Sequence, residues 1–218
     1  MQIAWYGHSC FRLRSRRGTV VTDPFSKEVG YNLPRLRADI VTVSHDHPDH
    51  NNVKAVKGKP KIISGPGEYE IKGIFAIGIS TFHDGLRGKT RGRNTVYLLD
   101  FEGVTICHLG DLGHVPTQTQ VEDLSDVDVL LVPVGGVTTI DAAEASEVIS
   151  LLEPKIVIPM HYGTEVLQGS KLKPVDQFLK EMGIKTTVPE DSLKVTKGGL
   201  PSDTQVIVMN YPGQDRST

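Results

Sequence analysis

Short runs in which apolar residues alternate with polar ones, or fill every position, recur along the chain and are broken by Gly, Pro, Asn and Asp. This is the pattern of β-strands, because side chains two apart share one face of a sheet and fully apolar runs suit strands covered on both faces. "QIAWY", "CFRLRS" and "TVVTD" open the chain at close spacing, with "RRG" as a hairpin turn, and predict an antiparallel start. "ADIVTVS" is nearly all apolar and predicts a strand buried on both sides. Further strands are predicted at "KIIS", "IFAIGIS", "NTVYLLDF", "VTICHLG", "VDVLLVPV", "KIVIPM", "TTV", "LKVT" and "TQVIVM".

Helical spacing is rarer. In "IDAAEASEVISLLEP", Asp141 is placed to cap, Glu144 stands three residues on, and Ala145, Val148, Ile149 and Leu152 form an apolar stripe ended by Pro154. "KPVDQFLKEMG" predicts a second helix, begun by Pro174 and closed by Gly183, and a weaker one is predicted over about 49–56. Many strands with a few covering helices predict an α/β (α+β) architecture of two mixed sheets flanked by helices. With no linker, repeat or low-complexity run, the 218 residues are expected to form one domain, 1–218.

Composition narrows the functional classes. A formal net charge of -2 provides no global basic field, so a nucleic-acid partner held by nonspecific phosphate attraction is not expected. The polar start "MQIAWYGHSCFRLRSRRG" does not read as a signal peptide and no run has the length of a membrane span, which predicts a cytoplasmic protein. Only Cys10 and Cys107 are present, too few for a disulfide framework or a cysteine metal cluster, and both read as small buried hydrophobes.

The chemistry is concentrated in "SHDHPDH", 44–50. If the segment leaves a strand extended, His45 and His47 aim their imidazoles the same way. Pro48 keeps His47 extended and favours a helical start after it, so that Asp49 and His50 reach a second point nearby. Three other candidate ligands lie just beyond predicted strands: His83 after "IFAIGISTF", Asp111 after "VTICHLG" and His161 after "KIVIPM". Strand ends at one edge of a layered fold are where distant segments converge. The expectation is one cation on His45, His47 and His83 and another on Asp49, His50 and His161, with Asp111 bridging. Imidazoles and carboxylates without thiolates suit zinc, with manganese or iron as alternatives.

"HDHPDH" followed in order by His83, Asp111 and His161 resembles the metallo-β-lactamase superfamily. The resemblance covers nearly the whole chain and implies a four-layered αβ/βα sandwich with a one- or two-metal site at the edge between its sheets. "WYGHSCFRLRSRRGTVVTDPF", "ISTFHD", "NTVYLLDFEGVTICHLGDLGH", "VPVGG" and "KIVIPMHYGT" are similar to the branch that includes L-ascorbate-6-phosphate lactonase and, more distantly, N-acyl-phosphatidylethanolamine phospholipase D. His83 lacks the "GHT" context of the β-lactamase, glyoxalase and persulfide-dioxygenase branches, and His47 stands where the di-iron oxygen reductases carry Glu. The resemblance implies a metal-dependent hydrolase whose cations generate hydroxide for attack on a small ester, lactone or phosphodiester, with Asp49 orienting it and accepting its proton.

Other residues are candidates for the surroundings of the site. His8 in "YGHSCF" matches a family position near the metals, and a hydrogen-bonded structural histidine is the competing reading; Asp23 in "TVVTDPF" is placed to steady the metal loop. His114 is a candidate for the cleft, whereas His108 is expected to face away. Arg87, Lys89, Arg91 and Arg93 lie among glycines in 85–94, which reads as a mobile basic loop able to hold an anionic small-molecule substrate, or as an ordinary solvated loop. The alternatives to a hydrolase are a non-catalytic metal-bound scaffold and, less favoured given the net acidity and short chain, a nuclease. An apolar edge strand leaves a homo-oligomer open.

Overall fold

A computed structural model of the chain describes residues 1–167 and 169–214. The opening runs form β1 (Gln2–Trp5), β2 (Phe11–Arg14) and β3 (Thr19–Thr22), which pair antiparallel in sequence. β4 (Ile40–Thr42), buried at every position, then adds to β3 in parallel and β5 (Lys61–Ile63) adds to β4. With β12 (Leu193–Lys194) on the outside of β1, they make a six-stranded sheet ordered β12-β1-β2-β3-β4-β5.

A second sheet is built from an antiparallel meander and a parallel extension. β6 (Gly67–Ile71), β7 (Ile74–Phe82), β8 (Arg93–Phe101) and β9 (Val104–His108) pair antiparallel, and β10 (Val129–Pro133), β11 (Ile156–Met160) and β13 (Gln205–Val206) continue in parallel. β10 and β11 are buried at all five positions each, as their unbroken apolar runs require. The α-helices are α1 (Gln118–Asp123), α2 (Ala142–Leu152) and α3 (Val175–Glu181), all following β9. α2 carries the expected capping box: the Asp141 carboxylate accepts from the backbone of Ala143 and Glu144, and the Glu144 side chain accepts from Asp141 N. Its stripe of Ala145, Val148, Ile149 and Leu152 is buried. No helix among the described residues is long and apolar enough to cross a membrane.

Three expectations fail. The weak helix over 49–56 is one turn at 48–50 and a single 3-10 turn at Val53–Ala55, because Asn52 N bonds Pro24 O and pulls the chain back onto the first sheet. "TTV" at 186–188 forms no strand; Val188 is 84% exposed and has no face to bury. "TQVIVM" forms a strand only at Gln205–Val206, with Met209 in an isolated bridge to Glu190. Conversely, β6 and α1 were not anticipated: "GEYEI" alternates weakly and mostly faces solvent, and "QTQVED" has a single apolar residue.

The relative directions of the strands matter more for function than their number. β1, β3 and β4 run the same way in one sheet, as do β7, β9, β10 and β11 in the other. Their carboxyl ends therefore gather at one rim of each sheet. Tyr97, fully buried on β8, ties the two rims together: its hydroxyl lies 3.0 Å from Val43 O and 3.2 Å from Ile63 O, and it accepts from Gly65 N at 2.8 Å. Thr95 N adds a direct bond to Ser44 O of 2.8 Å. Tyr97→Phe removes the hydroxyl and leaves a partly buried N–H without its acceptor, so the unfolding free energy in urea is expected to fall by about 1 kcal/mol with far-ultraviolet circular dichroism unchanged.

Candidate metal centre

Every candidate ligand follows the carboxyl end of a strand. His8 lies three residues after β1, Asp23 directly after β3, and 44–50 just after β4; His83 directly follows β7, Asp111 is three residues after β9, and His161 directly follows β11. Leaving a strand at the rim demands abrupt backbone turns, and His8 (φ 52°), Asp23 (φ 36°) and His161 (φ 50°) all adopt the left-handed region. Gly110 makes the corresponding turn before Asp111 (φ 56°); a Cβ there would lie 2.5 Å from Asn94 Oδ1 and from Ser44 Cβ.

Asp23, completely buried, organises the 44–50 turn. Its carboxylate accepts from Ser44 N at 2.8 Å, from Ser44 Oγ at 2.6 Å and from the His50 Nδ1–H at 2.9 Å. Because the Ser44 hydroxyl donates to Asp23, its oxygen is free to accept from His45 Nδ1, 2.9 Å away. One carboxylate thus fixes the Nδ1 side of two imidazoles and turns both Nε2 atoms inward. The turn itself is closed by His50 N and Asn51 N on His47 O.

Asp111 occupies the middle of the histidines. Its Oδ2 lies 3.2 Å from His161 Nε2, 3.3 Å from His83 Nε2 and 4.0 Å from His45 Nε2, and its Oδ1 lies 3.4 Å from His50 Nε2. Asn94 fixes its backbone, accepting from Asp111 N at 2.9 Å while donating to Thr81 Oγ1 and Leu109 O. His47 Nδ1 stands 2.9 Å from His45 Nε2, and the donor atoms of His45, His47 and His83 lie within 4.8 Å of one another. The donor atoms of His8, His50 and His161 form a second such group, and those of His45, His50 and Asp111 join the two. Asp49 Oδ2 is 3.2 Å from His8 Nε2 and 3.7 Å from His50 Nε2.

This arrangement fits divalent cations. Two donors each about 2.0–2.1 Å from a tetrahedral zinc stand about 3.3–3.4 Å apart, close to the spacings that surround Asp111. Protonation favours the same reading. Burial, with His50 beside it, pushes His45 down to about 3, and burial, with His161 beside it, pushes His8 down to about 4, so both rings are neutral donors at neutral pH. His50 is also buried, yet Asp111 and Asp23 outweigh burial and raise it well above the ordinary imidazole value. A cation arriving beside His50 therefore displaces a proton.

The remaining candidates separate clearly. A cavity of about 570 Å³ opens onto the cluster and is lined by His8, His47, Asp49, His83, Asp111 and His161 together with Arg91, Lys171, Glu28 and the apolar Val29, Val137, Leu167 and Leu172. Arg91 also lines a neighbouring cavity that holds Arg93 on the far side of His47; Arg87 and Lys89 line neither. The loop is not the loose basic segment expected, since the Asp84 carboxylate accepts from the backbone of Leu86, Gly88, Thr90 and Arg91 and folds it into a closed turn. His114 does not line the cavity: Nε2 accepts from Phe82 N and Nδ1 donates to Val115 O, which buttresses the chain before His83. His108 turns away and bonds Ser9 O. Cys10 and Cys107 are free and buried, as expected. Asn94, Ser44 and the cavity residues of 163–172 were missed, because an isolated amide, a serine and a polar loop carry no spacing signal.

The geometry can be set beside known proteins. The model of the beta-lactamase superfamily domain matches residues 2–161 of this chain. The chain belongs to the metallo-β-lactamase superfamily. Within it, a UPF0173 protein of Pyrococcus furiosus is 30% identical over 205 residues, covering 84% of this chain and 90% of the relative. A UPF0173 metal-dependent hydrolase of Thermoplasma acidophilum is 29% identical over 217 residues, covering 87% and 96%. The crystal structure of a candidate zinc-dependent hydrolase of the superfamily from Thermotoga maritima is 43% identical, with a TM-score of 0.79 over 95% of this chain and 97% of that one. The superfamily sandwich is thus the observed fold, with two mixed sheets and few helices.

The relay on Asp23 is directly testable in this superfamily member. Asp23→Asn removes the charge that fixes the Nδ1 side of both rings, and 15N–1H correlation spectra of the histidine side chains are expected to lose the Nδ1–H signals of His50 and His45 together. Retention of both signals would show that Asp23 does not set them.

Proposed function

We propose that this protein is a metal-dependent hydrolase that holds two divalent cations, zinc foremost, and cleaves a small anionic ester, lactone or phosphodiester. The observation that carries the reading is the position of the Asp111 carboxylate, within 3.2–3.4 Å of the Nε2 atoms of His161, His83 and His50. His45, His47 and His83 would hold one cation, and His50 and His161 with Asp49 the other, Asp111 lying between. Divalent cations held there supply Lewis acidity, which lowers the pKa of a water and polarises an acyl or phosphoryl oxygen.

The protein's own groups do the rest. Asp49 lines the cavity with its side chain 41% exposed, where a substrate's reacting bond would lie. Burial opposes its charge, but the hydrogen bond from His8 and the nearby His50 prevail and hold its carboxyl below the usual range. It is therefore a carboxylate at neutral pH, placed to orient the attacking water, take its proton and return it to the leaving oxygen. Arg91 and Lys171 at the cavity would draw in a substrate anion, and Val29, Val137, Leu167 and Leu172 would receive its apolar body. The names of the Thermoplasma and Thermotoga relatives support the hydrolytic reading. The sequence resemblance to the L-ascorbate-6-phosphate lactonase branch makes a phosphorylated lactone the first compound to assay.

Two measurements test this. Metal analysis followed by turnover on lactone, phosphodiester, thioester and β-lactam panels is expected to give two cations per chain and activity on an anionic lactone or phosphodiester; stoichiometric metal with no turnover on any panel would leave a scaffold. His45→Ala and Asp111→Ala are expected to lose metal and to reduce turnover by more than the about 10–100-fold typical of outer-shell partners. Arg91→Ala is expected to raise the KM of the anionic substrate about 2–10-fold with kcat unchanged, the modest size reflecting an exposed side chain.

A further inference from the structure

We propose that His8 is itself a ligand of the second cation, so that each half of the centre is a three-nitrogen site: His45, His47 and His83 on one side, His8, His50 and His161 on the other. The inference rests on the two-cation reading above and assigns a donor outside the "HDHPDH" segment and its three strand-end partners.

The geometry carries it. His8 Nε2 lies 3.1 Å from His50 Nε2, close to the spacing of two donors on one cation, and the His8 ring sits 4.2 Å from that of His161. The side chain is 6% exposed, and its Nε2 points into the cluster, 3.2 Å from Asp49 Oδ2 as well as facing His50, with the donor atoms of His8, His50 and His161 within 4.8 Å of one another.

The backbone is arranged to present it. Gly7 (φ 102°) packs so closely against Tyr31 that a Cβ would lie 2.4 Å from the ring, and His8 follows in the left-handed region. Its carbonyl is pinned by Trp5 Nε1 at 3.0 Å and by His161 N at 3.1 Å, so the two histidines are locked to one another through the main chain. Left-handed backbone is strained at a non-glycine residue, and the turn directs the ring at the cluster.

The test is metal binding. His8→Asn is the informative variant, since Asn tolerates the left-handed backbone but is too short to reach the cation; thermal unfolding of the metal-free chain checks its fold, and His8→Gln provides a second. Metal-free chain is titrated with Zn²⁺ by calorimetry and with Co²⁺ by visible absorption, with His47→Asn as the mirror variant. The wild type is expected to bind two ions, His8→Asn to keep one and bind the other at least about tenfold more weakly, and His47→Asn to lose the opposite ion, giving a different Co²⁺ spectrum. Two ions at wild-type affinity in both His8 variants would overturn the assignment. A wild type with one ion, lost in His8→Asn and kept in His47→Asn, would uphold the His8 triad and overturn the two-cation reading. A wild type with one ion that His8→Asn binds with unchanged affinity would overturn the triad.

Discussion

Two buried carboxylates, Asp23 and Asp111, set the terms for everything around them. A negative charge removed from water is stable only with positive charge and hydrogen-bond donors at close range. Asp23 meets that demand within the protein, taking two bonds from Ser44 and one from His50. Asp111 meets it only among imidazoles, and it and Asp23 together raise the buried His50 well above the ordinary imidazole value. A divalent cation satisfies Asp111 better than a proton does, since it answers several lone pairs at once. The folding requirement and the metal requirement are therefore one electrostatic condition.

That condition needs rigid supports, and the two sheets supply them. Strands running the same way deliver their carboxyl ends to a shared rim, and Tyr97 and the Thr95–Ser44 bond hold one rim against the other. The donors thus stand on the ends of paired strands, whereas the cavity residues Arg91, Val137 and Lys171 stand on loops. The candidate ligands are thus held by the scaffold, while the cavity wall is built from segments that can vary without disturbing it. Val137 illustrates the second group: it is 56% exposed, lines the cavity and holds a left-handed backbone (φ 66°) that is costly for a β-branched residue.

The sequence by itself determined the strands, the α2 cap and most of the cluster. Apolar periodicity and capping follow from local chemistry, as in β4, β10 and Asp141, and the density of imidazoles and carboxylates in 44–50 marks a candidate cation site whatever surrounds it. It missed β6 and α1, whose faces are only weakly apolar, and predicted a helix over 49–56 that a bond from Asn52 to Pro24 replaces with turns. The tertiary structure decided which donors meet. That His8 lies 3.1 Å from His50, that Asp23 governs two histidines through Ser44, and that Asp84 folds the basic loop while His114 turns to the backbone all depend on strand direction and sheet packing. Such contacts join residues tens of positions apart, and local pattern records what a residue can bond to, not which distant partner the fold will bring within reach.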